Sequence, residues 1–207
     1  MFSWLVVGLS GVIHIFTANG NHKQLSYVFR TVALLSLIVL LFLNGSDKPQ
    51  FIWVATGLVL SCFSDIAYKF LKPNMSKSFV VLLIAFVSYS KGFWSQLHGD
   101  IAWWVPALLI AGSVIIVLLL LPKLDTIILP ISIIGLVMLQ MFWAALAVWM
   151  NNASIENLYG CLACIILIFT MVLDVINNYR TYFTNVESWV SGGFLIGHSL
   201  IVASVIA

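Results

Sequence analysis

Residues 126–149 read TIILPISIIGLVMLQMFWAALAVW. The stretch carries no charged side chain and is longer than the ~20 apolar residues that cross a ~30 Å hydrocarbon core. Runs of the same character lie on either side of it. Eight apolar segments emerge, at 1–17, 28–43, 51–70, 78–95, 101–121, 126–149, 158–177 and 189–206. Composition says the same thing independently. Of 207 residues, 62% are hydrophobic and 8% charged, against roughly 25% charged in a soluble domain. With a mean hydropathy of +1.12, there is too little polar surface to cover a water-facing globule. The ~10-residue alternating segments of a membrane β-barrel do not occur. The expected architecture is all-α: a polytopic membrane protein, a bundle of eight transmembrane helices with short loops, residues 1–207 forming a single transmembrane domain. No room remains for a soluble domain, so function belongs inside the bundle or at its mouths.

The breaks between segments are turn chemistry, as at Asn44-Gly45-Ser46-Asp47, Lys72-Pro73-Asn74, His98-Gly99-Asp100 and Pro122-Lys123. The N-terminus enters an apolar run with no basic flank and reads as a retained first helix rather than a signal peptide. The odd-numbered loops and their flanks hold Lys23, Arg30, Lys69, Lys72, Lys77, Lys123 and Arg180, and the other side holds only Lys48 and Lys91. This asymmetry puts the odd loops in the cytoplasm and both termini outside it, in a plasma (inner) membrane. Trp189 and the Trp103-Trp104 pair suit an aromatic belt. The net charge of +2 is small and dispersed, leaving no nucleic-acid footprint. Cys62, Cys161 and Cys164 all lie in apolar runs and read as small core residues.

An ionised group at mid-bilayer costs at least ~2.5–3.5 kcal/mol on insertion scales, so every such residue requires a reason. The set is His14, Asp65, Lys91, Asp174 and His198, with Gln140, Asn177 and Asn178 as uncharged companions. At 1.5 Å per residue, Asp65 and Asp174 lie roughly 5–8 Å inside the cytoplasmic boundary, with His14 at similar depth and His198 roughly 13 Å deep. Two carboxylates and a histidine thus share a layer, with a second histidine beneath. Asp65 and Lys69, and Asp174 and Asn178, are i,i+4 pairs on one helix face each. Lys91 sits near the outer end, where a lysine snorkels. Gln140 is expected to hydrogen-bond across helices. Nucleotide, serine-hydrolase and metalloprotease motifs are absent, and four histidines, two of them in or near loops, do not make a metal centre. No cofactor is implied.

These residues together resemble the YhhN family of lysoplasmalogenase-like membrane proteins with eight helices. The resemblance covers nearly the whole chain. Its strongest pieces are Gly57-Leu-Val-Leu-Ser61-Cys-Phe-Ser64-Asp65 in the third segment and Phe194-Leu-Ile-Gly197-His198-Ser-Leu-Ile-Val202 in the last. Val28-Phe29-Arg30, Pro130 and Leu173-Asp174 fall in the family's order. The chain departs from the family pattern at Thr31, Ser64, Ser90, Phe93 and Phe194, where the family's usual residues are Pro, Gly, His, Tyr and Tyr.

The resemblance implies cleavage of a lysophospholipid's vinyl ether to a fatty aldehyde and a glycerophospho-alcohol. That reaction needs an acid to protonate carbon and negative charge to hold the resulting oxocarbenium ion. Two carboxylates in a low-dielectric layer can divide these roles. The expected catalytic residues are Asp65, Asp174 and His198. Arg30, Lys69, Ser64 and Asn178 are expected to bind substrate, with the cations on its phosphate. A proton-coupled small-solute transporter and a non-catalytic lipid-binding protein are the alternatives, since intramembrane carboxylates also serve proton relays.

Overall fold

A computed structural model describes residues 2–18, 23–70, 75–99, 101, 103–120, 128–179 and 186–207. They form eight α-helices: α1 Phe2–Ala18, α2 Lys23–Asn44, α3 Phe51–Phe70, α4 Met75–Trp94, α5 Trp104–Leu120, α6 Ile128–Asn151, α7 Ile155–Tyr179 and α8 Val186–Ile206. Each coincides with one of the eight apolar segments. Helices α2, α4, α7 and α8 begin a few residues earlier than their apolar runs. In α7 the reason is a cap: Ser154 Oγ accepts a hydrogen bond from the Asn157 amide at 3.3 Å, and Glu156 complements the positive end of the helix dipole. Pro106 and Pro130 fall in the first turns of α5 and α6, where the missing N–H has no helical partner to lose. By length and composition α2, α6, α7 and α8 can cross a membrane, and α1, α3, α4 and α5 carry shorter apolar stretches within the described residues.

The distribution of side chains is that of a protein solvated by lipid. Phe16, Leu43, Leu108 and Phe169 are exposed, whereas Ser10, His14, Ser61, Ser64, Ser90 and His198 are buried. Hydroxyls on the helices bond back to the preceding turn, as Thr56 does to the Ile52 carbonyl at 2.8 Å and Ser36 to Val32 at 2.8 Å. This satisfies them where no water is at hand. Trp103, Trp104 and Trp189 are exposed, as an aromatic belt requires. Lys91 is exposed near its helix end. Gln140 is also exposed on α6, so the expected bond across helices is not what positions it. The three cysteines are free and buried.

Helices α1 and α2, α3 and α4, and α7 and α8 are antiparallel pairs with extensive contact, and α4–α6–α7 packing joins them. Helix α8 also lies against α1, α2 and α3, while α5 packs chiefly on α6. Glycines set the closest approaches. A Cβ on Gly57 of α3 would lie 2.8 Å from Tyr89 Cζ of α4, and one on Gly197 of α8 would lie 2.6 Å from Leu167 Cγ of α7. Small residues that let helices approach this closely stand in for the hydrophobic drive that lipid removes.

Candidate functional site

The antiparallel registers fix which polar residues share a level. His14 of α1 meets Ser26 of α2. Gly57 of α3 meets Tyr89 of α4, and Thr170 of α7 meets Gly193 of α8. Arg30, Asp65 and Phe194 therefore belong to the end of the bundle where α1, α3 and α7 finish and α2, α4 and α8 begin. Counted from those helix ends, they lie about 8–12 Å inward.

At this level Arg30 Nε lies 2.7 Å from Asp65 Oδ2, an ion pair between α2 and α3 whose side chains are 18% and 15% exposed. The Arg30 guanidinium carbon sits 4.1 Å above the centroid of the Phe194 ring of α8. Three helices thus converge on one cation. The aromatic face contributes about 0.5–2 kcal/mol where the cation is desolvated. The larger effect is the pairing itself, since a buried charge left alone costs about 3–5 kcal/mol. Lys69 shares a helix face with Asp65, but the partner that Asp65 finds is Arg30, on another helix.

One turn deeper is a second network. His198 is fully buried. Its Nδ1 lies 2.7 Å from the Phe194 carbonyl, and a carbonyl only accepts, so Nδ1 carries the ring proton. In the neutral ring Nε2 is then an acceptor, and it takes the Ser61 hydroxyl proton at 3.2 Å. Ser61 Oγ in turn accepts from Tyr89 Oη at 3.3 Å. With the ring neutral, one direction runs along the chain: Tyr89 donates to Ser61, Ser61 to His198, and His198 to the backbone of α8. The Phe194 and His198 rings lie with centroids 4.1 Å apart, tilted by 38°, and the Tyr89 ring meets His198 edge-on at 5.7 Å. The network and the ion pair therefore share Phe194, which touches both.

The structure thus brings together Arg30, Asp65 and His198, and adds Ser61, Tyr89 and Phe194. Ser64 is buried on α3 beside Asp65. Asp174 is half-buried on α7, about one turn nearer the helix ends than Thr170. The side chains of Lys69 and Asn178 lie outside the described residues. Among described residues no cluster of three or more His, Cys, Asp or Glu side chains has the arrangement of a metal site.

Tyr89 is the residue that sequence reasoning passed over. In α4, Ser90 and Phe93 stand where the resemblance places a His and a Tyr. Ser90 is buried with no hydrogen-bond partner for its hydroxyl among the described residues, and Phe93 packs against Gly160 of α7. The available signal was the buried face Ala85-Phe86-Tyr89-Phe93 at helical spacing, with one phenol in it. A phenol in an apolar core requires a partner, and Ser61 supplies it.

A model of the YhhN family matches residues 25–205, which include every residue of the ion pair and of the buried network. No curated protein and no solved structure is similar enough to match. With its eight apolar helices and a family match over most of its length, the chain belongs to the YhhN family of membrane proteins.

Proposed function

We propose that the chain is a membrane hydrolase acting on the vinyl ether of a lysophospholipid, with the phosphate end at the odd-loop side of the bundle and the tail between helices. The observation that carries this reading is the Arg30–Asp65 ion pair, enclosed by α2, α3 and α8 well inside the helix ends. A transmembrane chain retains such a pair at a cost in insertion, and a reaction through a cation is a reason to retain it. Paired with Arg30, Asp65 serves as negative charge rather than as proton donor. Asp174 is then the acid.

The proposed steps balance as follows. The Asp174 carboxylic acid gives its proton to the distal vinyl carbon. The electron pair of the double bond makes the new C–H bond, and the oxygen-bearing carbon becomes an oxocarbenium ion beside Asp65. Water adds to that carbon and returns a proton to the Asp174 carboxylate. The hemiacetal then collapses: its hydroxyl gives up its proton as the C=O bond forms, the bond from that carbon to the glycerol oxygen breaks, the glycerol oxygen takes up a proton, and aldehyde and alcohol leave. General acid catalysis of this kind contributes typically ~10²–10⁴-fold, and a carboxylate aimed at the developing cation adds to it. His198, with both ring nitrogens engaged, positions Phe194 and through it Arg30. Arg30 and Lys69 attract the phosphate, while Ser64 and Asn178 lie near enough in sequence to the two aspartates to orient water or glycerol. The seven-to-two distribution of Lys and Arg supports a cytoplasmic odd-loop face in a plasma membrane, with both termini outside.

The test is mass spectrometry of lipids incubated with the purified protein, offering a 1-alkenyl lysophospholipid beside the 1-acyl compound of equal chain length. Aldehyde release from the alkenyl lipid alone is expected. Release of fatty acid from the acyl lipid, or turnover of neither, contradicts the reading.

A further inference from the structure

His14 is a buried ionisable side chain that the proposed reaction leaves unused. It is 3% exposed on α1. Its Nδ1 lies 2.9 Å from the Ser26 carbonyl and 2.7 Å from Ser26 Oγ, and the Ser26 hydroxyl donates to the His14 carbonyl at 3.3 Å. Because the carbonyl only accepts, Nδ1 again holds the ring proton, and in the neutral ring Nε2 holds a lone pair. Unlike that of His198, this Nε2 is buried without a hydrogen-bond partner among the described residues. A buried acceptor left unpaired is an exception that calls for a cause. Its surroundings suggest one. Ser26 and Arg30 are four residues apart on one face of α2, and α1 packs on α2 and α8, the helices that supply Arg30 and Phe194. The imidazole therefore sits against α2 one turn from Arg30, on the side of the bundle that carries the ion pair.

We propose that His14 Nε2 is a ligand-facing acceptor that takes a hydrogen bond from the free hydroxyl of a lysolipid's glycerol backbone, and so selects lipids that carry this hydroxyl over fully substituted ones. The inference rests on the hydrolase reading above. A lysolipid brings an O–H donor to an acceptor that has none. An ester or ether at the same carbon brings only further lone pairs, so two acceptors face each other and the histidine stays unsatisfied. A site built to pair with a hydroxyl discriminates more sharply than one that measures only size.

The experiment compares a 1-alkenyl lysophosphatidylethanolamine with its 2-O-methyl ether as substrates for the full-length protein, as wild type, His14→Asn and His14→Gln. The asparagine amide can still donate to Ser26 but does not reach the Nε2 position, whereas glutamine can place an acceptor there. Wild type is expected to favour the hydroxyl lipid by about 10- to 100-fold in kcat/KM. His14→Asn should lose that preference by slowing on the hydroxyl lipid alone, and His14→Gln should recover part of it, with both melting as wild type does. Equal slowing on both lipids in His14→Asn, or an undiminished preference, overturns the assignment while leaving the hydrolase reading in place. Turnover of neither lipid by wild type overturns both.

Discussion

Helices α5, of 17 residues, and α8, of 21, are both strongly apolar, yet they occupy opposite kinds of place. Helix α5 packs chiefly on α6 and leaves Leu108, Ile110, Val114, Ile115 and Leu118 facing outward. Helix α8 meets α1, α2, α3 and α7, and buries His198, Ile201 and Val202 completely. The glycines make the contrast sharpest. A Cβ on Gly112 of α5 would touch nothing within 4 Å, whereas one on Gly197 of α8 would press into Leu167. Hydrophobicity takes a helix into the membrane. Small residues in register, and polar groups that need partners, then decide whether it becomes the hub of the bundle or its rim.

The largest way to break the contrast is to unbalance the charge that α8 helps to hold. Arg30→Met should destabilise the protein by about 3–5 kcal/mol, because it leaves Asp65 uncompensated, and Arg30→Met with Asp65→Leu should restore most of that loss. Unfolding in detergent measures both, and a double variant no more stable than Arg30→Met would contradict the pairing. Next comes close packing. Gly197→Val should cost about 1–3 kcal/mol by overpacking against Leu167, while Gly112→Val should stay within about 0.5 kcal/mol, as surface substitutions do. Equal effects would erase the distinction between hub and rim. Hydroxyls sharpen it further. Ser61→Ala takes the donor from buried His198 and should cost about 1–3 kcal/mol, whereas Ser113→Ala removes only a bond to the Ile110 carbonyl on exposed α5 and should be near neutral. Tyr89→Phe should have the smallest effect on the hub, about 0.5–1.5 kcal/mol, since the ring packing survives and one neutral hydrogen bond is lost. A change as large as that of Ser61→Ala would mean that the phenol does more than donate to Ser61.

Much of this organisation can be read from the sequence, and the boundary of what cannot has a physical cause. The eight helices are legible because each is a long apolar run closed by turn residues or a cap. Arg30, Asp65 and His198 stand out because ionisable groups are rare in such runs. Their arrangement is not legible. Sequence offers Asp65 a neighbour at i,i+4, Lys69, while the pairing with Arg30 depends on how α2, α3 and α8 approach one another. Tyr89 is hidden for a different reason. Tyrosines are common in membrane proteins as interfacial anchors, so a tyrosine in the core has no distinctive local pattern. Its mark lies on another helix, at Gly57, which makes room for the ring. Gln140 shows the reverse error: a polar residue within an apolar run invites a bond across helices, and it stands instead on the exposed surface of α6.

The central claim is that the buried Arg30–Asp65 pair holds the carboxylate that stabilises the developing cation. The most direct test is aldehyde release from a 1-alkenyl lysophospholipid by wild type and by Asp65→Asn, with thermal unfolding of the same samples. The account predicts release by wild type and a loss of about 10²-fold or more in a folded Asp65→Asn variant, the scale of one placed electrostatic group. Wild-type release by folded Asp65→Asn would contradict it.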